Sequence, residues 1–233
     1  MAHAYIPSAG YILNMMGEKR THVRFDEVTL YLKSTYPDQA KTEYDEKLYM
    51  KRGGKLRWVR TSQQGDTVTI LRDGTLTELS PDGTRRVESP SHEPLVDFLL
   101  PRHSTSESMR HELLQLCQKL NIESGKTFLS RFNSRVAYVI GGKINEKNTS
   151  QLWIDKDGLW PVRIVYEGSW QGKRGWIDLQ FRDFASPQTQ EYMPRVIERY
   201  VNGVLVWHAE VKNMDTTSRL AERLFQPSVT SAR

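Results

Sequence analysis

Two glycine-rich turns, Gly53-Gly54-Lys55 and Gly141-Gly142-Lys143, are the first places to look for phosphate chemistry. Neither has the upstream glycine, nor the Ser or Thr after the lysine, that a phosphate-cradling loop needs, so both read as turns. Gly168-Ser169-Trp170-Gln171-Gly172 comes near a nucleophile elbow but carries its serine one place early. The six histidines show no metal-binding spacing such as H-E-x-x-H. His103 and His111 flank a helix start as solvated groups, and His208 falls on the wetter face of a strand. Asp155 and Asp157 place two carboxylates at one turn, whereas paired acid–base work needs a set separation across a cleft. They read as turn formers. Cys117, the single cysteine, lies among Leu113, Leu114, Leu116 and Leu120 with no basic neighbour on its face, which predicts a buried, unreactive thiol. One cysteine excludes an internal disulfide and a cysteine zinc site. Asn148-Thr149-Ser150 fits a glycosylation acceptor, which means little if the host is bacterial. Aromatic and basic residues interleave at Trp58 with Arg57 and Arg60, and at Trp170 with Lys173, Arg174 and Trp176. Base stacking is one use of such a pattern; packing across a sheet surface is the ordinary one, and no nucleic-acid partner is expected. From these residues no catalytic residue, metal or cofactor is expected.

The elements that would position these side chains are mostly strands. In Gly175–Met214, Ile177, Leu179 and Phe181 alternate with Asp178, Gln180 and Arg182, and Leu205, Trp207, Ala209 and Val211 alternate with Val206, His208, Glu210 and Lys212. A period of two marks strands with one buried face. Asn202-Gly203 between the last two runs suits a two-residue hairpin turn. Earlier, Val28, Leu30 and Leu32 alternate in a long strand predicted over 22–36, broken at Pro37-Asp38 and followed by a polar loop to about Lys47. Turn signals at Gly53-Gly54, Asp73-Gly74 and Pro81-Asp82-Gly83 then predict a meander, and further strands flank Gly141-Gly142 and Asp157-Gly158.

Helices are predicted at the start, middle and end. Ser8 caps a helix to about Arg20 with Ile12, Met15 and Met16 on one side. A short apolar helix over 93–100 stops at Pro101. Ser106 is expected to cap a second central helix carrying Met109, Leu113, Leu116 and Leu120 at helical spacing, to lie across a sheet face. A last short helix is predicted over 216–225, with Leu220 and Leu224 on one face. Roughly ten or eleven strands and four helices, with no strand–helix alternation, exclude a doubly wound parallel sheet.

The 233 residues suit one sizeable domain, here 1–233 with an ordered core from about 8 to 227. A hydrophobic share of 38% is thin, which suits a one-layer curved sheet with a wet outer face. A net charge of +5 favours anionic surfaces modestly. No apolar run approaches the roughly 20 residues needed to cross a bilayer, so the chain is not expected to span a membrane.

Several stretches in this order resemble a known family. They are the helix with Ile12-Leu13-Asn14-Met15-Met16, the run YDEKLYMKRGGKLRWVR over 44–60, the central helices, the paired strands QLWIDKDGLWPVRIVY over 151–166, and Phe225-Gln226-Pro227 after the final strand. Together they are similar to the outer-membrane lipoprotein-sorting group, the LolA-like and LppX-like superfamily, over about 8–227; Asp155 to Pro161 is the most telling piece. The resemblance implies an α+β, mostly β fold: an unclosed, strongly curved antiparallel β-barrel with helices covering its concave face. It implies acyl chains of lipid or lipoprotein held between sheet and helices in the periplasm, an export signal having been removed. Inner-membrane donor and outer-membrane acceptor proteins are the implied partners. It also implies a buried arginine near the helical lid, for which Arg24, Arg57 and Arg60 are the candidates. On this frame Met15, Met16, Leu30, Leu32, Ile70, Leu113, Leu116, Leu179, Phe181 and Trp207 are expected to line an apolar cavity, or else to fill an ordinary core. With a filled core, the alternative function is a cell-envelope interaction protein whose curved sheet docks a protein partner.

Overall fold

The computed structural model describes residues 6–21, 23, 25–39, 42–88, 93–100, 105–143, 146, 148–184 and 193–227. His22, Arg24, Pro101 and His103 lie outside them. The described residues form one antiparallel sheet of thirteen strands, not closed into a barrel, with helices packed against it. The first meander is β1 (Glu27–Tyr36), β2 (Thr42–Lys51), β3 (Lys55–Ser62), β4 (Gly65–Arg72), β5 (Thr75–Leu79) and β6 (Arg85–Glu88). The second is β7 (Thr127–Phe132), β8 (Arg135–Gly141), β9 (Gln151–Asp155), β10 (Pro161–Trp170), β11 (Lys173–Arg182), β12 (Val196–Val201) and β13 (Val204–Asp215). The two meanders join where β1 pairs with β13, leaving β6 and β7 at the two edges.

Those edges are the strands that periodicity missed. All four residues of β6 are exposed, so it shows no alternation. The turn from β7 into β8 is Asn133-Ser134, both at positive φ (49° and 66°), without the glycine that usually announces it. The expected polar loop to Lys47 is also corrected, because β2 starts at Thr42. Glu46 occupies an inward position in line with Leu48 and Met50, and a buried carboxylate breaks the apolar alternation. The expected hairpin at Asn202-Gly203 forms, with φ of 50° and 80°.

Helix α1 (Ala9–Arg20) begins as its sequence predicts, with Ser8 Oγ accepting from the Tyr11 N–H at 3.4 Å. Lys19 and Arg20 in its last turn face the negative end of the helix dipole. Helix α2 (Pro94–Leu99) is buried throughout. Helix α3 (Ser106–Lys119) is capped by Thr105 rather than Ser106, the Thr105 Oγ1 accepting from Ser108 N–H at 3.3 Å. Gly17 lets α1 approach α3 closely, since a Cβ there would lie 3.0 Å from the Ser106 carbonyl oxygen.

The predicted C-terminal helix is corrected to a single 3₁₀ turn, Glu222–Phe225. The backbone upstream is committed elsewhere. Asp215 accepts from the N–H groups of Thr217 and Ser218 at 2.8 and 3.0 Å, and the Leu220 N–H donates to Glu27. Lys51 and Arg57 then donate to the carbonyls of Leu220 and Leu224, each at 3.2 Å. The segment straps the outer face of the first meander and buries Leu220 and Phe225 there.

The main core lies between sheet and helices. A smaller one, with Trp153, Trp160 and Val162, covers the opposite face of β8–β10. Leu152 and Ile154 point one way and Trp153 the other, which explains why β9 is buried along its whole length.

Candidate ligand groove

The sheet curves enough to bring the inward face of β3–β6 opposite the end of β10. Between them runs a partly open groove of about 280 Å³. Leu56 and Trp58 on β3 and Leu76 on β5 form one wall, Tyr166 and Trp170 on β10 the other. Glu93, the α2 cap, and Leu120, at the end of α3, close it on the helical side. Trp58 and Trp170 meet across the groove with ring centroids 5.4 Å apart. Trp207 backs both, at 4.7 Å from Trp58 and 6.2 Å from Trp170.

Three buried ionisable groups, Arg199, Glu93 and Glu46, organise this floor. The Arg199 guanidinium lies 3.8 Å above the Trp170 ring centroid and donates from Nη2 to Glu93 Oε1 at 2.7 Å. Glu93 Oε1 also accepts the Leu95 N–H at 3.2 Å, so one carboxylate caps α2 and anchors it to β12. Glu46, deeper in, accepts from Ser34 Oγ at 2.6 Å, Tyr36 OH at 2.5 Å and Trp207 Nε1 at 3.1 Å. Burial raises the Glu46 carboxyl above its ordinary value of 4.5, against the pull of those donors. The same burial, with Glu46 alongside, pushes the Tyr36 phenol well up.

The sign of the Glu46 shift makes a prediction. A carboxyl whose folded pKa is raised favours the fold most when protonated, and that advantage is lost as pH climbs through the folded pKa. Glu46→Gln cannot titrate. Wild type should therefore gain stability relative to Glu46→Gln as pH falls from neutral towards 4.5. Urea melts of both proteins across that range check it; a constant difference would mean Glu46 titrates alike in both states.

The ten residues expected to line an apolar cavity are distributed differently. Met16, Leu30, Leu32, Leu113, Leu116, Leu179, Phe181 and Trp207 are buried in the main core, and Met15 is half-buried against it. Ile70 lies on the other face, between Thr69 and Leu71, which point inward with Trp58 and Leu56. None of the ten lines the groove; Trp207 comes nearest, as backing to its aromatic walls. The groove's own signal was the interleaving of Trp58 with Arg60 and the aromatic Trp170, which local reading assigned to sheet-surface packing.

Of the candidate arginines, Arg57 and Arg60 are half-buried and Arg24 lies outside the described residues; among the described residues the arginines buried near the helices are Arg199 and Arg20. Arg20, at the end of α1, donates to the Phe98 carbonyl and so ties α1 to α2. The pairing of Arg199 with Glu93 spans 106 residues, beyond any local pattern.

No protein-family model matches the sequence, and no curated protein matches it. Solved structures do. A domain assigned to outer membrane lipoprotein sorting, from Vibrio parahaemolyticus, superposes with a TM-score of 0.59 at 9% identity, covering 93% of this chain and 95% of that one. A LolA superfamily protein from Nitrosomonas europaea gives 0.52 at 14% identity, over 95% and 98%. The chain has the LolA-like fold. A DUF1329 family protein from Desulfovibrio piger, at 0.55 and 12% identity over 94% and 96%, shares it. At these identities the likeness concerns architecture, and among the described residues the LolA-like sheet here ends at β6 and β7. No described helix is long and apolar enough to cross a membrane.

Proposed function

We propose that this protein is a carrier of the bacterial periplasm, a binding protein and not an enzyme, that holds an acyl chain of a lipid or lipoprotein. The observation that supports this reading most is the groove itself. On a LolA-like half-barrel, Leu56, Trp58, Leu76, Leu120 and Trp170 face one another across a space that opens to solvent beneath the helices. Each methylene buried there contributes about 0.8 kcal/mol, so a chain is held by apolar burial with no catalytic group. At about 280 Å³ the space sits just below the usual ligand-pocket range of roughly 300–1,000 Å³. It suits part of one chain; a longer or second chain requires α2 and α3 to move, with the Arg199–Glu93 tie as the restraint. Inner-membrane donor and outer-membrane acceptor proteins are the partners this cycle needs.

Organic extracts of the purified protein, read by mass spectrometry, test the reading, together with displacement of a fluorescent fatty acid. The expected results are a co-purified lipid and saturable displacement. Trp170→Ala should weaken binding about tenfold, corresponding to ~1.4 kcal/mol, in protein kept well below its melting temperature. A clean extract with no fatty-acid binding would transfer the curved sheet to the alternative role of docking a protein partner.

A further inference from the structure

Arg60 projects from β3 into the groove, half-buried. Its guanidinium carbon lies 5.0 Å from the Tyr36 ring centroid and 5.2 Å from that of Tyr44. Those two rings meet edge to face at 5.4 Å. The planar cation is thus held in one orientation by two aromatic neighbours. No carboxylate among the described residues pairs with its charge. Glu46 stands opposite Arg60 in the β2–β3 ladder, yet turns its carboxylate to Ser34, Tyr36 and Trp207. Arg60 forms no ion pair among the described residues. By contrast Arg163, Arg182 and Arg199 hold Asp178, Glu198 and Glu93. Of the other carboxylates along the groove, Glu78 stands opposite Arg86 in the β5–β6 ladder, and Glu88 and Glu167 are exposed to water. The recessed charge left for a ligand is therefore positive, beside the Trp58 and Trp170 walls.

We propose that the groove selects an amphiphile with an anionic end, a carboxylate or a phosphate, which Arg60 receives while the chain lies along Trp58, Leu56 and Trp170. This rests on the groove being the acyl site. A guanidinium presents paired donors matching either oxyanion, and a partly desolvated pair of this kind is stronger than one in water. The proposal names the shared chemistry of a free fatty acid and a phosphate-bearing lipid.

The test uses the full chain and matched ligands: hexadecanoate, hexadecyl phosphate, hexadecanol and hexadecyltrimethylammonium, each below its micelle concentration. Both anions should bind about ten- to a hundredfold more tightly than the alcohol, the range expected for hydrogen bonds to a charged group. Arg60→Gln should weaken both anions far more than the alcohol and so abolish that preference, and Arg60→Lys should restore part of it. A carboxylate stronger than the phosphate points to fatty acid as the source; the reverse points to a phosphate-bearing lipid. Alcohol or ammonium binding as tightly as the anions in wild type would overturn the proposal, and needs no variant to fold. Binding of none of the four would overturn the acyl-site reading with it, whereas alcohol binding without anion preference removes this proposal alone.

Discussion

Arg199→Ala is expected to destabilise the protein by about 3–5 kcal/mol, the cost of leaving one half of a buried ion pair alone. Arg199 is 1% exposed and faces inward in β12 between Leu179 on β11 and Trp207 on β13. Its removal strands Glu93, 7% exposed at the start of α2, without its cation. It also takes away the surface on which Trp170 packs. The double variant Arg199→Met/Glu93→Gln should recover much of the loss, because no charge is then left unpaired. Urea denaturation of the two single variants and the double gives the coupling directly. A single-variant cost below about 1 kcal/mol is the figure for an exposed pair, and would remove the tie from the account. The same pair would bear on ligand release in the proposed carrier. If α2 is held to the sheet through Glu93, amide exchange over 93–100 should quicken in Arg199→Ala more than in the β7–β8 hairpin, which lies at the far edge of the sheet.

Trp207→Ala is expected to cost a similar amount, about 3–5 kcal/mol, and to separate packing from binding. The indole is fully buried, touches Trp58 and Trp170, and donates to Glu46 at 3.1 Å. Trp207→Phe keeps much of the volume and loses the donor, so about 1–3 kcal/mol is expected. The two variants together divide the loss between cavity formation and the removal of one of the three donors to Glu46. Trp207 backs the groove without lining it, so acyl affinity in the folded Trp207→Phe protein should change less than in Trp170→Ala. The reverse order of affinities would return Trp207 to the ligand surface.

These effects converge on one arrangement. The half-barrel needs inward polar groups where its curvature brings strands and helices together, and Glu46, Glu93 and Arg199 occupy those places. Each is held by partners from other elements, while the Arg199 Nε is buried without a hydrogen-bond partner among the described residues. The groove lies directly beside them, so the groups that hold the lid also shape the floor on which a chain would rest.

Much of the architecture was written locally. The Ser8 cap and the Ile12, Met16 spacing specified α1, and Met109, Leu113 and Leu116 specified α3. Asp73-Gly74 and Asn202-Gly203 placed their turns because those residues accept positive φ. Such signals work because they concern neighbours along the chain. The departures share the opposite cause. Glu46 hid the start of β2, since a buried carboxylate is tolerable only with Ser34, Tyr36 and Trp207 around it, and those partners arrive from β1 and β13. The predicted last helix gave way to a strap because side chains of the sheet claimed its carbonyls. Alternation told which residues share a face of a strand, although it set Ile70 on the wrong one. Inward does not distinguish packed from facing a space, and the groove residues Trp58, Arg60 and Trp170 read as surface packing. Whether two inward faces touch or stand apart depends on how far thirteen strands curl once β1 pairs with β13 and the helices settle between the meanders. That curvature sums small twists over the whole sheet, and no short stretch of sequence carries it.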